Sequence, residues 1–122
     1  MDFKIDTKEK LHVITLKEPV LSGNLTEALR DLVHSFHQQP VKNLVIDLGS
    51  VTGIDEDSAN VLAALQQQWY ENNHSLVYFG IRKEVEVVFE SLELWEVLNV
   101  TPTESEAWDI VQMEEIEREL MG

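Results

Sequence analysis

Apolar residues recur along this chain with two periods, one near two residues and one near four. Phe3 to Asp6 and His12 to Leu16 read as short strands, and the polar TKEK between them predicts a hairpin. Within HVITL, Val13 and Thr15 face opposite to Ile14 and Leu16. Pro19 and Gly23 then mark EPVLSG as a loop. The period lengthens at Leu25, Ala28, Leu29, Leu32, Val33 and Phe36, which is helical spacing. Ser22 or Asn24 can cap that helix, and Pro40 ends it. NLVIDL, Asn43 to Leu48, is a β-branched run of the kind buried on both faces of a parallel sheet. After the loop GSVTG, a second helix is predicted from about Asp57 to Glu71, with Val61, Leu62, Leu65 and Trp69 inward. Leu76 to Phe79 is the next strand, ended by Gly80. A short helix follows over Lys83 to Ser91, with Val85, Val88, Phe89 and Leu92 on one side. VLNV, Val97 to Val100, reads as a last short strand. TPTE opens a terminal helix, with Thr103 at the N-cap and Glu106 three residues on in a capping box. Its acidic end, EEIERELMG, is expected to fray.

The order β-β-α-β-α-β-α-β-α predicts an α/β protein, with right-handed parallel crossovers after an antiparallel opening. The 122 residues suit a single domain spanning 1–122, and no repeat, linker or low-complexity tract divides them.

Charge narrows the choice of partner. The formal net charge is −14. Such a chain is repelled by nucleic-acid phosphate and by anionic membrane surfaces, whereas a partner with a basic face is steered toward it. The absence of cysteine excludes disulfides, thiolate metal sites and cysteine nucleophiles. MDFKIDTKEK lacks the apolar core of a signal peptide, and no apolar run nears the roughly 20 residues that cross a bilayer. A cytoplasmic protein without direct membrane insertion is expected.

The chemistry concentrates in VTGIDEDSANVL, Val51 to Leu62. Asp55, Glu56 and Asp57 stand together at a strand-to-helix turn, followed by Ser58. Asp55, Asp57 and Ser58 are all good N-cap types, and acids there interact well with the helix dipole. One carboxylate would meet that need. Three adjacent ones repel each other, so the surplus points to a surface that something reads. The calcium-loop pattern is missing, and sequence neighbours rarely face each other across a hydrolytic cleft. His34 and His37 have metal-ligand spacing without an evident third ligand, so they read as exposed helix residues. The glycines have neither P-loop nor dinucleotide spacing, and no serine sits in a nucleophile elbow. No catalytic set, metal or cofactor is expected. Trp69, Trp95 and Trp108 read as core or core-edge residues, and Tyr70 is left open between core and docking patch.

LVIDLGSVTGIDEDSANVL resembles the strand–loop–helix signature of the STAS domain, the domain of bacterial anti-sigma factor antagonists and of sulfate-transporter C-termini. Asp47-Leu48, Ile54-Asp55 and Val61-Leu62 fall in register with it. SLVYFGIRKEVEVVFESLELWEVLNV resembles the family's later strand, short helix and final strand. The resemblance implies a STAS-like fold: a four- to five-stranded mixed sheet with helices packed mainly on one face. It also implies a non-enzymatic module of signalling and transcription regulation, whose partner is an anti-sigma factor or related switch kinase. Asp55, Glu56, Asp57, Ser58 and Asn60 would form the contact surface, flanked by Ser22, Gly23 and Asn24.

In family members that are switched by phosphorylation, the motif is Asp-Ser-Ser/Thr-Gly and its second hydroxyl residue is the acceptor. Here that position falls on Asp57, Glu56 replaces the preceding Ser, and Ser58 replaces the Gly. Only Asp55 remains of the four. Asp57 has no hydroxyl and carries about −1, against −1.5 to −2 for phosphoserine. Either it imitates the modified state permanently, or the switch is lost and binding is constitutive. Ser58 is the alternative acceptor, although a shift of one residue turns the side chain by about 100° at a helix start. Two other functions are open to the fold: a small-ligand or nucleotide-sensing domain, which the local acids disfavour, and an accessory subunit of a membrane transporter.

Overall fold

A computed structural model describes residues 2–121. The opening hairpin pairs β1 (Phe3–Thr7) with β2 (His12–Leu16) in antiparallel register, Ile5 opposite Ile14. β2 then pairs in parallel with β4 (Leu44–Asp47), β4 with β6 (Leu76–Phe79), and β6 with β7 (Val100–Thr101). The sheet order is β1-β2-β4-β6-β7, mixed because β1 alone runs against the other strands. A second, two-residue pairing joins β3 (Val20–Leu21) to β5 (Gly53–Ile54). Four helices complete the fold: α1 (Gly23–Ser35), α2 (Glu56–Glu71), α3 (Lys83–Ser91) and α4 (Glu104–Met121).

Strand alternation sorts the sheet's side chains into two layers. Ile14, Leu16, Leu44, Ile46, Leu76 and Tyr78 face α1, α2 and α3, where they meet Leu29, Val33, Leu62, Leu65, Trp69, Val85 and Phe89. Leu11, Val13, Val45, Val77 and Phe79 face α4, where they meet Ala107 and Val111. Three helices therefore cover one face and α4 covers the other. Each fully buried Leu, Ile or Phe contributes roughly 1.5–3 kcal/mol by leaving water. Two polar tips inside the first layer are satisfied: Trp69 Nε1 donates to Lys42 O at 2.6 Å, and Tyr78 OH to Leu62 O at 2.6 Å.

The pattern reading is corrected in four places. EPVLSG and GSVTG are not plain loops, because Val20–Leu21 and Gly53–Ile54 form the β3–β5 pair. VLNV is not one strand: Trp95–Val97 make a 3₁₀ turn, Leu98 tucks into the core, and the strand is Val100–Thr101. Ser22 holds the cap position of α1 without a side-chain cap bond, and Asn24 already lies inside the helix. At α4, Thr103 Oγ1 donates to Glu106 Oε1 at 2.8 Å while Glu106 N reaches Thr103 Oγ1 at only 3.4 Å, so the box is half made. The acidic end stays helical to Met121, and Gly122 lies outside the described residues.

Candidate functional site

Two turns meet at the end of the sheet where the parallel strands finish. Thr52 N and Gly53 N donate to Pro19 O at 2.7 and 3.1 Å, which zips the approach to α2 onto the approach to α1. Leu21 and Ile54 are register partners, so Ser22 and Asp55, the next residues, enter their helices side by side. Gly23 follows Ser22 with φ +50°, a left-handed conformation that side-chain-bearing residues rarely adopt. The start of α1, Ser22-Gly23-Asn24, is thereby brought beside the Asp-Glu-Asp turn, with Gly23 and Asn24 exposed and Ser22 half-buried.

The three carboxylates have different tasks. Asp55 is the N-cap of α2: its backbone is extended and its Oδ1 accepts from Ser58 N at 2.8 Å. Hydrogen bonding from the Ser58 side chain, and next from its backbone N–H, holds the Asp55 carboxyl below its ordinary pKa. Glu56 and Asp57 occupy the first turn, exposed, and the cap bond does not use them. Ion pairs among the described residues join Lys8 to Asp6, Lys83 to Glu86 and Arg118 to Glu115, and none involves this triplet. Asn60 is exposed one turn on, its Nδ2 donating to Glu56 O at 3.0 Å.

Ser58 requires a correction. It was expected on the exposed surface, but it is 1% exposed and its Oγ lies 2.6 Å from Thr26 Oγ1 of α1. The cause is periodicity: Ser58, Leu62, Leu65 and Trp69 are spaced i, i+4, i+7 and i+11, so Ser58 begins the inward stripe of α2. Its hydroxyl is not presented to a partner or to a kinase. Thr26, missed by pattern reading, is its buried counterpart on α1 and ties the two helix starts together. Spacing was the available signal, since Thr26, Leu29 and Val33 line one face.

The predicted core residues fall as follows. Trp69 is fully buried, and Trp95 and Trp108 are half-buried at the edges of the two layers. Tyr70 is part of a polar network, its OH donating to Glu114 Oε1 at 2.7 Å. His34 and His37, expected exposed, are half-buried with their rings tilted against Trp69, the His37 centroid 4.4 Å from it. Among the described residues, no three His, Cys, Asp or Glu side chains converge as metal ligands, and no helix is long and apolar enough to cross a membrane.

A family model described as the STAS domain matches residues 2–107. No curated protein matches the chain. Among solved structures, a Ser-to-Glu variant of RsbS from Moorella thermoacetica aligns with TM-score 0.77 and 18% identity, over 97% of this chain and 99% of that one. The anti-sigma factor antagonist SpoIIAA in its unphosphorylated form aligns with TM-score 0.72 and 18% identity, over 91% and 96%. The murine anion transporter Slc26a9 aligns with TM-score 0.66 and 18% identity, over 88% of this chain but 18% of that much longer one. At this identity the likenesses show a shared fold alone.

Proposed function

This chain belongs to the STAS domain family, and on that premise we propose that it is a non-enzymatic regulatory module that binds a protein partner as anti-sigma factor antagonists do. The observation that carries this reading is the exposed pair Glu56 and Asp57, left free of intramolecular ion pairs beside a second exposed turn. Charges placed so are solvated at little cost to the fold and are open to Arg or Lys on a partner. The contact set is Asp55, Glu56, Asp57 and Asn60, flanked by Ser22, Gly23 and Asn24. The partner is an anti-sigma factor or related switch kinase with a basic docking face.

Asp57 takes the place of the phospho-acceptor. Proteins of the same fold support a switch at a hydroxyl that an acid can replace: SpoIIAA is known in unphosphorylated and phosphorylated forms, and the RsbS variant carries Glu for a serine. A carboxylate supplies about −1 that no kinase adds and no phosphatase removes. With an anti-sigma kinase and labelled ATP, the wild-type chain is expected to take up no phosphate, and Asp57→Ser to take it up at residue 57. Phosphate on Ser58 of the wild type, or an Asp57→Ser protein unchanged in both binding and labelling, would sink the assignment.

The second reading, an accessory domain of a membrane transporter, is supported by the likeness to part of Slc26a9. Affinity purification from the native cell separates the two: a kinase-like anti-sigma factor supports the first reading, and transporter subunits in its place the second.

A further inference from the structure

α4 has two apolar faces, and the fold uses one. Ala107 and Val111 are fully buried against Val13, Val45 and Val77, with Trp108 and Ile110 partly covered beside them. Met113, Ile116 and Leu120 are 59%, 56% and 82% exposed. At about 100° per residue these three lie roughly 140–200° round the helix from Val111, on the side away from the sheet. Of the eight large apolar side chains that are exposed among the described residues, these three and Met121 make half. The exposure is thus gathered on one helix, whereas single exposed apolar residues would need no explanation. The family match ends at residue 107, so the stripe lies past the matched segment.

The rim of the stripe says what fits it. Asp109, Glu117 and Glu119 are exposed around it, with Gln112 the neutral member. Arg118, the one base of α4, is drawn to the inner side, where its Nη1 and Nη2 donate to Ser75 Oγ. A second copy of this chain would set acids against acids. An anionic bilayer meets the same repulsion. We propose that the outward face of α4 docks a basic amphipathic helix of another protein, its apolar stripe on Met113, Ile116 and Leu120 and its flanking Lys or Arg on the acidic rim. Three anchors at i, i+3 and i+7 suit a helix laid alongside. The surface is on the opposite side of the sheet from α2, so it does not depend on the site at Asp57.

The test is a fluorescence anisotropy titration of the full chain. The probe is a labelled Leu/Lys peptide with leucines at i, i+3, i+4 and i+7, and the control a scramble of the same composition. The wild type is expected to prefer the patterned peptide, and Met113→Glu/Ile116→Glu to weaken that binding at least about tenfold. The two added acids would strengthen a purely electrostatic attraction, so the direction of change separates the causes. Leu120→Ser should weaken binding without altering charge, and circular dichroism checks that each variant is folded. Val87→Ser, at an exposed apolar residue of α3 across the sheet, should leave the titration unchanged. Failure of the wild type to bind, equal binding of the scramble, or undiminished binding by the variants overturns the proposal. So does a wild-type dimer that Ile116→Glu makes monomeric, or pelleting with phosphatidylserine vesicles that the same variant abolishes.

Discussion

At its first turn α2 shows Glu56 and Asp57 to solvent, while at its last, roughly 22 Å along the axis, Tyr70 is enclosed in polar partners. The Tyr70 OH donates to Glu114 Oε1 at 2.7 Å and accepts from Asn99 Nδ2 at 2.5 Å. Ser75 Oγ donates to the same Glu114 oxygen at 2.6 Å, and Asn43 links Ser75 N to Glu115 Oε1 at 2.8 Å each. Burial, and after it the Glu114 hydrogen bond, push the Tyr70 phenol well above its ordinary pKa. Both ends are rich in carboxylates, yet one closes its polar groups upon each other and the other leaves two of three free. A carboxylate's role follows from how many partners it already has. By that measure the network holds α2, α4 and the strand starts together, and the acidic turn is free to meet another molecule.

Substitution should tell the two ends apart. Glu114→Ala removes an acceptor shared by two hydroxyls and should lower the unfolding free energy by about 2–3 kcal/mol in urea titrations. A loss no greater than that of a surface substitution would show that the network is ornamental. Asp55→Ala, which removes the cap, should cost about 1 kcal/mol. The ends should also separate by pH. Burial, then the charges of Lys42, Arg118 and His37, hold the His74 imidazole below its ordinary 6.5, so its contribution is present above that pH and lost as pH falls through the folded value. Asp55, depressed below 3.8, should lose its contribution only as pH falls beneath that figure. Denaturation midpoints from pH 7 to pH 3 would show the first decline without Asp55→Ala altering it. Smallest in stability is Glu56→Gln/Asp57→Asn, expected within about 0.5 kcal/mol of wild type. The same pair should slow association with a basic partner and flatten its salt dependence, as stopped-flow rates would show.

The hydrophobic periods made most of the fold legible. Lys83–Ser91 is a helix at the expected bounds, and Val13 does face opposite to Ile14. Two-residue strands left no such trace, because Val20–Leu21 and Gly53–Ile54 are too short to show a period. They are also what sets the Ser22 turn beside Asp55, so the neighbourhood of the two turns needed the structure. Ser58 was legible and misread: the family resemblance put it on the contact surface, while its spacing from Leu62 and Leu65 put it inside. The Glu114 and Arg118 network was not legible, since α4 meets Ser75 and Asn43 only through the packing of the whole sheet.

The outer layer of the sheet has a thin roof. Val13, Val45 and Val77 are shielded on that side by a single helix whose two fully enclosed side chains are Ala107 and Val111. The segment leading into it, Pro102 and Thr103, is exposed. A protease that cut there would leave the helix held by its side-chain contacts alone, and its loss would uncover a bare valine-rich surface of the kind that neighbouring molecules adhere to.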